Sequence, residues 1–191
     1  MNIGIVVEGD RDSAAYPELI RKIRDDVETV LAEPCGNDVR LMKKFVERLK
    51  YFQWGAGHTV NKALVIRDSD CGDPVVWEDK MKRILDQSHF VPNFPVHFHA
   101  TKCEIETWLL ADDGAINQAA QNRGRQKPVS PLKIQFESYR DAKELFREVL
   151  SKTRLPVDPK VYKEIASFAS IERIATRCPH FQQFVDKVRA C

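Results

Sequence analysis

The chain has 191 residues, enough for one substantial core, and its 43% hydrophobic and 30% charged residues are those of a folded globular protein, not a disordered or fibrous one. No run of about 18 apolar residues occurs, and the opening MNIGIVVEGD has neither a basic n-region nor a cleavage site. Neither a membrane span nor a secretory signal is expected, and a cytoplasmic protein is; the net charge of +2 names no partner.

In chain order, Asn2 to Val7 is expected to be a buried strand, because Ile3, Ile5, Val6 and Val7 make a short, largely β-branched run. A helix is expected from Asp12 or Ser13 to Ala32, with Ala14, Ala15, Leu19, Ile23, Val27, Val30 and Leu31 as its apolar stripe and Pro34 and Gly36 beyond its end. A second helix is expected from Val39 to Phe52, followed by the glycine-bearing loop WGAGHTVN. KALVIRDSD repeats the opening design, an apolar strand from Ala63 to Ile66 that delivers carboxylates at its carboxyl end. CGDP then turns into a helix from Val75 to about Gln87, PVHFHA reads as a third strand, and EIETWLLAD starts an apolar helix. Further helices are expected at Tyr139 to Leu150, Pro159 to Phe168, Ile171 to Arg177 and Phe181 to Val188, with QNRGRQKPVSP as the most loop-like stretch. Strands alternating with helices imply an α/β fold on a parallel sheet, which binds ligands beyond the carboxyl ends of its strands.

The five cysteines, Cys35, Cys71, Cys103, Cys178 and Cys191, are odd in number and never spaced as CxxC. That pattern argues against a zinc ribbon or a disulfide framework, so reduced thiols are expected. From Gln121 to Arg154 nine Lys and Arg stand against four Asp and Glu. This local excess suits contact with nucleic-acid phosphates, or equally a solvated helix face with i,i+4 ion pairs.

The acids in VVEGD and VIRDSD fall where the strand rule expects a site. Glu8 and Asp12 are four apart at a strand-to-helix junction, and Asp68 and Asp70 flank Ser69. Two carboxylates about 4 Å apart repel by about 4 kcal/mol at an effective dielectric near 20. Such a group needs cations, and hard Mg²⁺ or Mn²⁺ suits oxygen donors. Each cluster alone has a plain structural explanation, Asp12 as a helix N-cap and Asp70 as a turn residue before Gly72. Both at successive strand ends favour a functional reading.

VVEGDRD followed by a strand ending in DSD resembles the Toprim domain of topoisomerases, primases and OLD-type nucleases. The likeness extends to small, OLD-like Toprim proteins through EIETWLLAD at 104–112, DAKELF at 141–146 and CPHFQQF at 178–184. It implies a Toprim-like Rossmannoid, with a central, mainly parallel sheet flanked by helices and a helical C-terminal part. The implied domains are 1–120, the α/β unit, and 121–191, a helical extension packed on it, the two possible as one compact domain. It further implies a Mg²⁺- or Mn²⁺-dependent nuclease of DNA or RNA, often encoded beside an ABC-type ATPase in arrangements reminiscent of phage defence. By that resemblance Glu8 would be a metal ligand or general base, and Asp12, Asp68 and Asp70 would hold metal. Glu104 or Glu106 would add a further acid, only one of them pointing inward, while Trp108 and Leu109 face the core. Lys102 is the candidate for the lysine that OLD-type nucleases keep near their metals; with Glu8 and Asp68 it completes the expected catalytic set.

Three other functions remain as alternatives. One is a non-catalytic subunit binding nucleic acid or an ATPase through the basic stretch. Another is a Toprim-type RNA-maturation ribonuclease. The third is a haloacid-dehalogenase-like phosphatase, with Asp68 as nucleophile, Asp70 as acid, and Lys102 and Asp112–Asp113 as later motifs; that family places its nucleophile after the first strand, where Glu8 stands here. His97 and His99 share a strand face at metal-compatible spacing but lack partners in sequence, so both are expected to be structural or surface residues.

Overall fold

The computed structural model describes residues 1–55, 57, 59–125 and 128–190. Four parallel strands, β1 (Asn2–Val7), β2 (Thr29–Pro34), β3 (Lys62–Asp68) and β4 (Val96–Thr101), form one sheet in the order β2-β1-β3-β4. Ile3 lies opposite both Val30 and Lys62, and Val65 lies opposite Phe98. The connections carry helices α1 (Asp10–Ile23), α2 (Asp38–Trp54) and α3 (Pro74–Gln87). The chain runs from β1 outward to β2 and then returns to place β3 on the other side of β1. The strand order therefore reverses between β1 and β3, which opens a crevice at their carboxyl ends.

Strand alternation explains the two apolar layers. Ile3, Ile5 and Val7 of β1, with Leu64 and Ile66 of β3, face the cluster that contains α1. Val6, Ala63 and Val65 face the opposite cluster, built with Leu41, Phe45, Leu49 and Phe52 of α2 and Met81 of α3. Gly4 belongs to that second face because a Cβ there would meet the Phe52 ring at 2.7 Å.

The remainder is helical: α4 (Ile105–Leu110), α5 (Asp113–Asn122), a short 3-10 turn at Phe136–Ser138, α6 (Ala142–Thr153), α7 (Pro159–Phe168), α8 (Ile171–Arg177) and α9 (Phe181–Arg189). These helices pack on the α1 face, and one apolar cluster joins Ile3 and Ile5 to Val161, Phe181 and Val188. Trp108 and Leu109 are fully buried in it. Lys62, buried at the start of β3, donates from Nζ to the carbonyls of Lys187 (2.8 Å), Val188 (2.7 Å) and Ala190 (2.5 Å), satisfying the carboxyl end of α9.

Two expectations are corrected. The helix expected to reach Ala32 ends at Ile23, and residues 29–34 form β2. Val30 and Ala32 pack on the α1 cluster while Leu31 packs on the other, the alternation of a strand rather than a stripe. Nor are all the cysteines reduced: Cys71 and Cys103 form a disulfide, while Cys35 and Cys178 are free and buried. Cys191, and Ala56 and His58 of the expected glycine loop, lie outside the described residues, as do Gln126 and Lys127 of the loop-like stretch. No helix among the described residues is long and apolar enough to cross a membrane.

Candidate active site

Where β1 ends, the chain passes through Glu8 and Gly9 into α1. Glu8 Oε1 accepts a hydrogen bond from the Asp68 backbone N–H at 3.0 Å, which ties the carboxyl ends of β1 and β3 together. Asp12 is the third residue of α1, and its Oδ2 accepts from the Gly9 N–H at 2.8 Å, closing the first turn. It therefore holds the turn from inside the helix instead of standing at the N-cap. Glu106 lies in the first turn of α4, only 3% exposed, and its Oε1 accepts from the Tyr162 hydroxyl of α7 at 2.7 Å. Glu8, Asp12, Asp68 and Glu106 line one cavity of about 480 Å³, together with Arg11, Asn37 and Lys143. Carboxylates distant in sequence are thus gathered at the crevice where the strand order reverses.

Burial, and after it the neighbouring charges, raise the proton affinity of these groups. Burial, then the charges of Glu106 and Glu8, push Asp12 up to about 7, against the Gly9 N–H and the Lys143 ammonium. Burial and then Glu106 likewise push Glu104 up to about 7, with Lys143 opposing. Burial raises Glu8, with the Asp68 N–H and the nearby Arg67 guanidinium pulling the other way. Asp68 is raised well above the usual carboxylate range by burial and by Asp12, Glu8, Glu106 and Glu104.

The remaining candidates sit at different distances from this centre. Asp70 adopts a left-handed backbone (φ 50°), and its side chain is 80% exposed at the rim, 3.9 Å from Arg67. Arg67 is itself buried, donates from Nε to the Asp68 carbonyl at 2.7 Å, and stacks on the Trp77 ring at 3.5 Å. Of the two acids at the start of α4, Glu106 lines the cavity, whereas Glu104, the N-cap residue before the helix, accepts from the Lys143 backbone N–H at 2.5 Å. Lys102 does not line the cavity. Its Nζ donates to the Gly72 carbonyl at 2.7 Å. The lysine on the cavity wall is Lys143, with Nζ 3.9 Å from Glu104. Sequence reasoning missed Lys143, Arg11 and Tyr162; only the DAK segment carried a signal for the first.

Other motifs serve the fold. Asp112 accepts from the Ser170 N–H at 2.7 Å, and Asp113 pairs with Arg173 and Arg177, so this acidic pair fastens α8. His99 is fully buried against Trp108 and Phe184. In the basic stretch Arg123, Arg147 and Lys152 are engaged by Glu164, Glu144 and Glu148.

Among the described residues no three His, Cys, Asp or Glu side chains already stand as a metal-binding group. The donor chemistry nonetheless suits a hard divalent cation. All the donors are carboxylate oxygens, mutual repulsion opposes their ionisation, and the hydrogen bonds described engage one oxygen each of Glu8, Asp12 and Glu106.

No protein-family model matches the sequence, and no curated protein matches it. Among solved structures the fold is similar to the C-terminal region of the Burkholderia pseudomallei OLD protein. That likeness covers 97% of this chain and 98% of the other, with a TM-score of 0.50 and 14% sequence identity.

Proposed function

We propose that the chain is a Mg²⁺- or Mn²⁺-dependent phosphodiester hydrolase of the OLD-like Toprim type, cleaving DNA or RNA. The reading rests on one observation, the convergence of Glu8, Asp12, Asp68 and Glu106 on a single cavity beyond β1 and β3. The likeness to the OLD protein region supports the fold on which it stands.

In this reading Glu8, Asp12, Asp68 and Glu106 hold the cation, and Asp70 and Glu104 complete its surroundings from the rim. When bound, a divalent cation supplies Lewis acidity toward a phosphoryl oxygen and neutralises charge on the departing oxygen. Arg11 and Lys143, on the same wall, bind the phosphate and orient it toward the acids. The first turn of α1 and Asn37, the N-cap of α2, also reach the cavity, and the positive ends of these helices favour an anion there. Glu8 serves as ligand or as proton acceptor; its raised proton affinity keeps it able to take up and release a proton. Lys143 takes the role that the sequence suggested for Lys102. A defence role with an ABC-type ATPase partner belongs to the same proposal.

The test incubates the protein with supercoiled plasmid, single-stranded DNA and structured RNA, in Mn²⁺, Mg²⁺ or chelator, beside Glu8→Gln and Asp68→Asn. Cleavage that needs metal and falls by about 100-fold or more in both folded variants supports the reading. Tight nucleic-acid binding that persists in chelator, with no cleavage even beside an ATPase partner, overturns it in favour of a binding subunit.

A further inference from the structure

We infer that Cys71 and Cys103 form a reversible thiol–disulfide site that sets the geometry of the acidic cavity. The inference rests on the reading of that cavity as the catalytic centre, and it adds a means of regulating it.

The bond joins the two loops that hold Asp70 and Glu104, one following β3 with Asp68 and the other leading into α4 with Glu106. Cys71 follows Asp70 and stands three residues after Asp68; Cys103 precedes Glu104 and stands three residues before Glu106. Asp70, Cys71 and Cys103 all have left-handed backbones, with φ of 50°, 60° and 63°. Side chains other than glycine rarely adopt this conformation without a constraint, and the covalent link between the loops supplies one. Hydrogen bonds add to it: the Ser69 N–H donates to the Cys103 carbonyl at 3.1 Å, and the Cys103 N–H donates to Ser69 Oγ at 3.2 Å.

The reduced state is also provided for. Cys71 Sγ lies 3.8 Å from the Tyr139 carbonyl, and Cys103 Sγ lies 3.4 Å from the Glu137 carbonyl. A disulfide sulfur has no proton to donate, so these acceptors become useful only when the bond opens and each sulfur carries a hydrogen. Cys71 is partly exposed, whereas Cys103 is buried. A thiolate of a dithiol reductant therefore attacks Cys71 Sγ, and the Cys103 thiolate leaves and takes a proton. The reductant's second thiolate then attacks its own sulfur in the mixed disulfide and releases Cys71 as thiolate, which is protonated in turn. Two electrons pass to the protein and the reductant becomes a disulfide. A small-molecule disulfide oxidant reverses both exchanges. In the reduced form the turn at Asp70 and Cys71 loses its covalent tie to Cys103, so Asp70 and Glu104 are held together by hydrogen bonds alone, while Asp68 stays paired with Thr101 in the sheet.

Three measurements on the full chain test this, each with and without dithiothreitol. Thiol titration in denaturant should count three thiols in protein equilibrated with a disulfide oxidant, from Cys35, Cys178 and Cys191, and five after reduction. Amide hydrogen exchange at Ser69, Asp70 and Cys103 should speed up by about tenfold or more on reduction. Mn²⁺ affinity should fall by about tenfold or more, and the double variant Cys71→Ser, Cys103→Ser, checked for native circular dichroism, should match the reduced protein. Five thiols in oxidised protein overturn the inference, as do exchange rates and Mn²⁺ affinity that both ignore the redox state. If Mn²⁺ binds neither form while exchange responds to reduction, the metal reading falls and the thiol–disulfide site stands.

Discussion

Replacing Asp12 with Asn tests the electrostatics of the cavity without disturbing its shape. The amide keeps an oxygen able to accept the Gly9 N–H that Asp12 Oδ2 now accepts at 2.8 Å. What is lost is a carboxyl that burial, Glu106 and Glu8 raise from 3.8 to about 7. A raised carboxyl disfavours its own ionisation in the folded state. The metal-free protein therefore bears no cost from Asp12 below about pH 4, bears a growing cost as pH rises through about 7, and bears the whole of it above. The full cost is about 4 kcal/mol at about 1.36 kcal/mol per pH unit, of which about 2–3 kcal/mol accrues between pH 5 and pH 8. His97, His99 and His180, all lowered chiefly by burial, work in the opposite direction. They cancel in the difference between wild type and Asp12→Asn. Urea unfolding in EDTA should thus show the variant gaining on wild type by about 2–3 kcal/mol from pH 5 to pH 8. Millimolar Mn²⁺ should restore wild type more than the variant, because only wild type keeps the full set of ligands. A difference that stays flat with pH, or slopes the other way, refutes the argument that burial and the neighbouring carboxylates raise Asp12.

Gly4→Ala should destabilise the fold by about 1–3 kcal/mol in urea unfolding, because the added Cβ meets the Phe52 ring at 2.7 Å between sheet and helix. The two lysines separate by position. Lys143→Ala should cut cleavage by about tenfold or more, equivalent to about 1.4 kcal/mol of lost support, and move its acidic limb to higher pH, since Lys143 lowers Asp12 and Glu104. Lys102→Ala should leave cleavage within about threefold, a change of less than about 0.7 kcal/mol, because its ammonium serves the Gly72 carbonyl; parallel pH–rate profiles decide both.

The strands with one clear apolar run, β1 and β3, were legible because burial on both faces makes their sequences continuously hydrophobic. β2 was not. It lies at an edge of the sheet, every residue is half-buried, and Val27, Val30 and Leu31 imitate a helical stripe when read without Arg24, Asp25 and Asp26 as a break. Glu8, Asp12 and Asp68 could be found because strand ends place them by local rules. Glu106 came from resemblance, and which α4 acid turns inward was decided by Tyr162, 56 residues away. Lys143 reaches the wall through the packing of α6 against α4, which no local spacing encodes. The cysteine pair left a trace in the sequence, each member adjoining a motif acid, but a separation of 32 residues gives no pairing rule.

The grip of Lys62 on the carbonyls of residues 187–190 has a consequence for the birth of the protein on the ribosome. The lysine and its acceptors are separated by 125 to 128 residues. At about 5–20 residues per second, on the order of 6–25 s of synthesis divides them. Throughout that interval the carbonyls of residues 187–190 are not yet there to accept from a cation destined for burial, which favours keeping it in water. The nascent sheet is thereby held back from closing early around an incomplete core, and the order of translation is written into the order of assembly.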